Sequence, residues 1–282
     1  MKYVVTGGAG FIGSHISEAL ADRGEVVIID NLATGRMENI RDLTGRDGVT
    51  LVQGSVTDLP LLRRHFEGAA CIFHQAAIPS VQRSVENPIA THEANITGTL
   101  NVLVAARDAA VPKVVSASSS SVYGDTPVLP KREDMSPQPL SPYAVSKLAG
   151  EHYSRVFTSL YPAPATVSLR YFNVFGPRQD PASEYAAVVP KFITRILDGK
   201  PPLIYGDGNQ TRDFTYVKDV VQANIRAMES DASGVYNIAC GARISVNDLA
   251  SKIARLMGVE IEPIHEPSRP GDVRDSLADI SR

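Results

Sequence analysis

Tyr143 and Lys147 stand four positions apart in Ser141-Pro142-Tyr143-Ala144-Val145-Ser146-Lys147, behind a capping serine and a proline suited to a first helical turn. Helical spacing puts the phenol and the ammonium on one face. A nearby cation favours phenolate and draws a tyrosine pKa down from about 10, so that it can take a proton from a substrate hydroxyl. Core packing beside a solvated lysine gives the same spacing, so neighbouring motifs decide. One is Ser118-Ser119-Ser120-Ser121, followed by Val122-Tyr123-Gly124, at the end of a β-branched run. Alternate residues of an extended segment share a side, which aims Ser119 and Ser121 the same way. The bland alternative is a polar strand end.

A second constellation suits a dinucleotide. Thr6-Gly7-Gly8-Ala9-Gly10-Phe11-Ile12-Gly13 follows an apolar strand and opens a helix; its glycines permit a tight turn and close approach, and the helix N-terminus favours phosphate. Asp30 ends the next strand, where a carboxylate accepts hydrogen bonds from an adenosine ribose. An acid there favours NAD over NADP, a preference that nearby Arg36 weakens.

The elements that position these groups are short apolar runs: KYVV (2–5), EVVIID (25–30), VTLVQ (49–53), CIFH (71–74), KVVSAS (113–118) and ATVSLR (165–170). Helix-period segments separate them, one of them starting at Asn87-Pro88 with Ile96, Leu100 and Leu103 on one face. This alternation predicts an α/β fold, a Rossmann-type doubly wound parallel sheet spanning 1–175. The Pro- and Gly-rich texture after about residue 176 predicts a smaller C-terminal substrate lobe over 176–282, with GVYNIA (234–239) able to rejoin the first sheet. The site then falls at the carboxyl ends of the strands, between the lobes.

Composition narrows the function classes. The 282 residues are 43% hydrophobic and 21% charged with a formal charge of -3, which fits a globular chain and argues against nucleic-acid or membrane partners. No apolar run approaches the roughly 18 residues that span a bilayer, and the glycine-rich start leaves no signal-peptide core, so a cytoplasmic location is expected. Cys71 and Cys240 lack metal-ligand spacing and read as buried free thiols; no metal is expected.

Taken together, TGGAGFIG, the serine-rich strand end and Tyr-x-x-x-Lys resemble the extended short-chain dehydrogenase/reductase family over essentially the whole chain. Within it, LRYFNVFGPRQDP (169–181), AAVVPKF (186–192), GDGNQTRDFTYVKD (206–219) and RPGDVRDSLAD (269–279) resemble UDP-hexose 4-epimerases, most of all the branch acting on UDP-N-acetylglucosamine and UDP-N-acetylgalactosamine.

The resemblance implies NAD as cofactor, bound by Gly7, Gly10, Phe11, Ile12, Gly13, Asp30 and Asn31, then by Ser55, Val56, Ala76, Asn95 and Tyr171. It makes Tyr143 the catalytic base, Lys147 its partner and a nicotinamide-ribose ligand, and Ser119 the hydroxyl that bonds the reacting sugar oxygen. For the UDP-sugar it implies Ser119, Ser121, Tyr143, Asn173, Val189, Arg212, Arg269, Asp272 and Ser276. Arginine's planar fork suits the diphosphate, and Ser276 stands where a large tyrosine would restrict the pocket to unacetylated sugars. Related dehydratases and decarboxylases carry an acid where Ser121 stands, so reversible oxidation at carbon 4 through a 4-keto sugar fits better than elimination.

Two departures weaken the expected grip on NAD: Gly54-Ser55-Val56 replaces Gly-Asp-Ile, and Pro79 replaces a lysine. The resemblance also implies a homodimer packed through helices near 92–109 and 143–160, and a reduced last packing element in the second lobe. UDP-glucuronate 4-epimerase is the nearest alternative; a noncatalytic NAD-sensing regulator on the same fold is another, but it predicts loss of the Tyr-Lys pair.

Overall fold

The computed structural model describes residues 1–181, 187–267 and 273–282. In chain order the first lobe runs β1 (Lys2–Thr6), α1 (Phe11–Ala21), β2 (Glu25–Asp30), α2 (Arg41–Thr44), β3 (Val49–Gln53), α3 (Leu59–Phe66) and β4 (Ala69–His74). It continues through α4 (Val81–Glu86), α5 (Pro88–His92), a π-helical turn (Glu93–Thr97), α6 (Gly98–Asp108), β5 (Lys113–Ser119), α7 (Pro142–Leu160) and β6 (Ala165–Tyr171). Then come β7 (Val174–Phe175), α8 (Val188–Leu197), β8 (Leu203–Tyr205), β9 (Thr211–Arg212), β10 (Thr215–Tyr216) and α9 (Val217–Glu229). The chain ends with β11 (Gly234–Ile238), β12 (Ile244–Ser245), α10 (Val246–Leu256) and β13 (Ile264–Glu266).

The six apolar runs and 234–238 form one seven-stranded sheet, ordered β3-β2-β1-β4-β5-β6-β11, with every neighbour parallel. The chain reverses direction of growth between β1 and β4, which makes that point the natural crevice. Period-two alternation divides the strand residues between two cores. Val5, Ile28 and Phe73 pack with Ile16 and Leu20 of α1 and Val220 and Ile225 of α9. Val4, Ile29 and Ile72 pack with Leu62 and Phe66 of α3 and Val102 and Leu103 of α6.

Helix starts follow the local chemistry. Asn87 caps α5 by accepting from the Ala90 N–H at 3.0 Å, and Ser141 caps α7 by accepting from the Ala144 N–H at 3.2 Å, with a proline next in each case. Beyond residue 176 the chain does not form one separate layer: α9 and β11 return to the first sheet. The smaller core is built from α8, β8 and α10, around Phe192, Ile204 and Ile253. Cys71 is buried, but Cys240 is exposed, contrary to the expectation of two buried thiols, because it lies in the loop after β11.

Asp213 ties together segments far apart in the chain. Its carboxylate is wholly buried and accepts backbone N–H groups of Cys240 (3.0 Å), Gly241 (3.1 Å) and Ala278 (3.2 Å). Burial pushes its pKa up, and those three donors oppose the shift. The segment that includes Ala278 also pairs with Lys131 of the first lobe.

Asp213→Ala strands three donors and should lower unfolding free energy by about 2–4 kcal/mol in urea titrations, whereas a surface change such as Asp231→Ala should stay within about 0.5 kcal/mol.

Candidate active site

The loop after β1 turns sharply because Gly7 adopts a left-handed conformation (φ +70). A Cβ on Gly7 would sit 2.5 Å from the Ala76 nitrogen, and one on Gly13 would sit 2.1 Å from the Gly7 carbonyl oxygen. Only glycine permits this approach of the loop to the β4 end and of α1 to the loop. Helix α1 begins at Gly10 with no side-chain cap, so its first N–H groups remain for an anion.

Asp30 closes the cradle. Its Oδ2 accepts from the Ala9 N–H (2.9 Å) and its Oδ1 from the Leu32 N–H (2.8 Å), while the carboxylate lines the cleft. Each oxygen keeps acceptor capacity for a ribose diol. Arg36 is engaged by Asp180 at 3.0 Å and Glu38 at 3.6 Å, which competes with any 2′-phosphate for its charge. The residues present therefore fit a dinucleotide.

The cleft has a volume of about 1190 Å³ and runs from this cradle to the second lobe. Gly7, Gly10, Phe11, Ile12, Gly13, Asp30, Asn31, Ser55, Val56, Ala76, Tyr143, Lys147 and Tyr171 all line it, as do Ser119, Ser121, Asn173, Arg212 and Ser276. Asn95 and Val189 are not among its lining residues. Asn95 lies behind the wall: its Oδ1 accepts from the Ile78 N–H (2.8 Å) and its Nδ2 donates to Ser146 Oγ (3.0 Å), so it fixes a loop that lines the cleft. Val189, on α8, packs against the second-lobe core. Arg269 and Asp272 lie outside the described residues.

At the centre, Tyr143 and Ser119 line the cleft together, with the Ser119 hydroxyl able to favour the phenolate. The Lys147 ammonium donates to the Ala117 carbonyl at 2.9 Å and lies 5.9 Å from the Tyr143 ring centre. Burial lowers the Lys147 pKa to about 8, with the Glu151 carboxylate opposing. Burial also pushes the Tyr143 phenol up, against the Ser119 hydrogen bond. The sequence expectation was a phenol lowered by Lys147; desolvation wins here because it penalises both charged forms.

Ser121 Oγ is buried in the cleft wall with no protein partner, a hydroxyl suited to a ligand. Arg212 is anchored by the carbonyls of Thr211 (2.9 Å) and Arg274 (3.0 Å), and Asn173 Nδ2 by the Asp213 carbonyl at 3.1 Å. Asn173 Nδ2 also lies 3.5 Å from Ser276 Oγ.

Sequence reasoning missed Gln75, which links to the Tyr171 hydroxyl and Asn224 at 3.2 Å each. Its place at the carboxyl end of β4 was the available signal. The ion pair between Glu151 and Arg170 was missed too, because ATVSLR reads as a plain strand.

Residues 3–239 match the NAD dependent epimerase/dehydratase family. The chain belongs to that family. It is an NAD-dependent enzyme with the extended short-chain dehydrogenase/reductase fold. Among its relatives, a putative UDP-glucose 4-epimerase of Methanocaldococcus jannaschii is 41% identical over 99% of this chain and 90% of its own length. The UDP-N-acetylglucosamine 4-epimerase of Methanobrevibacter ruminantium, solved with UDP-N-acetylmuramic acid, superposes with a TM-score of 0.97 at 45% identity, covering 99% of this chain and 89% of that one. The UDP-glucose 4-epimerase of Thermus thermophilus, solved with NAD, gives 0.89 at 40% identity, covering 99% and 90%. Among the described residues no helix is long and apolar enough to cross a membrane, and no side-chain cluster could hold a metal ion.

Gly13→Ala should lower the NAD recovered with the purified protein at least severalfold, measured by releasing the dinucleotide with acid and assaying it enzymatically. Full NAD occupancy in that variant would contradict the cradle.

Proposed function

We propose that the enzyme interconverts UDP-sugar 4-epimers, acting on UDP-N-acetylglucosamine and UDP-N-acetylgalactosamine and also on UDP-glucose and UDP-galactose. The observation that carries this reading is the convergence of Tyr143, Lys147 and Ser119 on one cleft in which Ser121, rather than an acid, precedes Val122-Tyr123. Bound NAD supplies the acceptor for hydride from sugar carbon 4 and the donor for its return. Tyr143 takes the proton of the 4-hydroxyl and restores it after the 4-keto sugar has turned over. Ser119 holds the reacting oxygen, and Lys147 supplies positive charge beside the phenol.

Elimination needs a carboxylic acid beside the sugar. The cleft carboxylates are engaged elsewhere: Asp30 by Ala9 and Leu32, Asp180 by Arg36, and Asp275 by Thr211 Oγ1 at 2.5 Å. This supports epimerisation over dehydration. Arg212 and Asn173 are proposed for the diphosphate; Arg269 there and Asp272 at the uridine ribose rest on the motif alone. The small Ser276 leaves space for an acetamido group, and the relative solved with an N-acetylated UDP-sugar supports that reading. Room admits the larger sugar without rejecting the smaller one.

We propose a homodimer as well, through the helix expected at 143–160 but with α4 and α5 beside it rather than the helix expected at 92–109. Helix α6 turns Val102, Leu103, Ala105 and Ala106 inward, whereas α4, α5 and α7 leave Val85, Ile89, Val156 and Leu160 exposed. The contiguous helices α4, α5 and α7 are the proposed contact with a second copy.

Turnover of UDP-N-acetylglucosamine and UDP-glucose, followed by chromatography of the products, should both be detectable; turnover of UDP-glucuronate alone would transfer the assignment to the runner-up. In the same assay Ser276→Tyr should cut turnover of the acetylated pair by about tenfold or more and spare UDP-galactose. Tyr143→Phe should still bind UDP-sugar but lose about 10²–10⁴ in kcat.

A further inference from the structure

We infer that Glu151 is a positioning residue for the Tyr143 and Lys147 pair: its carboxylate, clamped between Ser118 and Arg170, fixes a negative charge one helical turn from the Lys147 ammonium and so favours the charged form of that amine. The inference rests on the proton-transfer role proposed for that pair.

Glu151 lies one helical turn beyond Lys147 on α7, so Tyr143, Lys147 and Glu151 share a face at four-residue intervals. Three donors organise the carboxylate. Oε1 accepts from Ser118 Oγ (2.5 Å) and Arg170 Nε (2.8 Å), and Oε2 accepts from Arg170 Nη2 (2.7 Å). Both ion-pair side chains are only 4% exposed. Arg170 is stacked in turn over the Tyr123 ring, 4.6 Å from its centre, and the Tyr123 hydroxyl donates to Asn237 Oδ1 at 2.7 Å. The carboxylate therefore has one orientation.

Two adjacent residues of β5 bind two adjacent turns of α7: the Ala117 carbonyl takes the Lys147 ammonium and the Ser118 hydroxyl takes Glu151. Buried lysine favours its neutral form. The groups around Lys147 leave Glu151 as the opposing charge: His74, from β4, is kept neutral by burial between Thr6 Oγ1 (2.8 Å) and Thr99 Oγ1 (2.9 Å), and Tyr143 is a buried phenol. On the far side of the ion pair, His152, Arg155 and Glu133 line a second cavity of about 180 Å³, beyond Glu151 from Lys147. Stability alone gives little reason for this pair, since a buried ion pair is often matched or exceeded by apolar residues of similar volume. Its position beside a desolvated lysine gives one.

The test is the pH dependence of the NAD-loaded enzyme on UDP-N-acetylglucosamine. Glu151→Gln should move the alkaline limb of kcat about one pH unit lower, reducing kcat about five- to tenfold above pH 8 while KM and NAD content hold. Because that variant leaves Arg170 buried and unpaired, the Glu151→Gln/Arg170→Gln double variant, which leaves no guanidinium unpaired, should show the same shift with thermal unfolding near that of the parent. A uniform loss of rate with an unmoved limb in either folded variant would overturn the inference, as would failure of both to fold, which would assign the pair to stability. Inactivity of the parent enzyme on UDP-sugars would instead overturn the proposed function. In that event Lys147 is titrated directly by NMR in ¹⁵N-lysine-labelled protein, and an unchanged titration in the variants would count against Glu151.

Discussion

A helix that lays a phenol, an ammonium and a carboxylate against a sheet at four-residue intervals must find a partner for each, because unpaired polar groups lose their hydration there. In α7 those residues are Tyr143, Lys147 and Glu151: Ser119 faces the same cleft as the first, the Ala117 carbonyl takes the second, and Ser118 with Arg170 takes the third. Three consecutive residues at the end of β5 thus serve three successive turns of one helix. The serine run is a docking rail for α7 as much as a polar edge, and the register of β5 against β6 brings Ser118 opposite Arg170.

The second constraint is the switch point between β1 and β4. The Gly7 turn can approach Ala76 only without a side chain, and this approach sets the floor of the cleft. From there the return of the chain at Asp213, and the proximity of Asn173 to Ser276, determine how the second lobe faces that floor. Arg36 and Asp180 add a polar contact across the opening, both half-exposed and therefore worth little in stability, but they engage the arginine nearest the adenosine end.

Local physics explains what could be read from the chain. Strands buried on both faces carry uninterrupted β-branched residues, and serine before proline marks a helix start, so the sheet and α7 were visible in one dimension. The return of β11 was legible only as an option, since GVYNIA carries no label naming its neighbour. What stayed hidden depends on tertiary partners. Asp213 sits in a polar, charged stretch of sequence with nothing to mark that its carboxylate binds three backbone groups in the interior. Asn95 reads as a ligand contact until its amide is seen to hold Ile78. The direction of the Tyr143 shift was misjudged because spacing reports the cation and is silent about desolvation.

That direction bears on the chemistry. A reversible epimerisation consumes no net proton, so its base must keep what it takes until the sugar oxygen needs it again. A buried phenol with raised proton affinity retains the proton better than an exposed one. The nearest imidazole does not compete, because burial drives His74 down to about 3 and both its ring nitrogens are held by threonine hydroxyls. Tyr143 must still be a phenolate before it takes the sugar proton, and every nearby anion works against that. The clamp on Glu151 answers part of this conflict: Ser118 and Arg170 fix the carboxylate one helical turn from Lys147 and two from Tyr143, so its charge acts on the ammonium more than on the phenol.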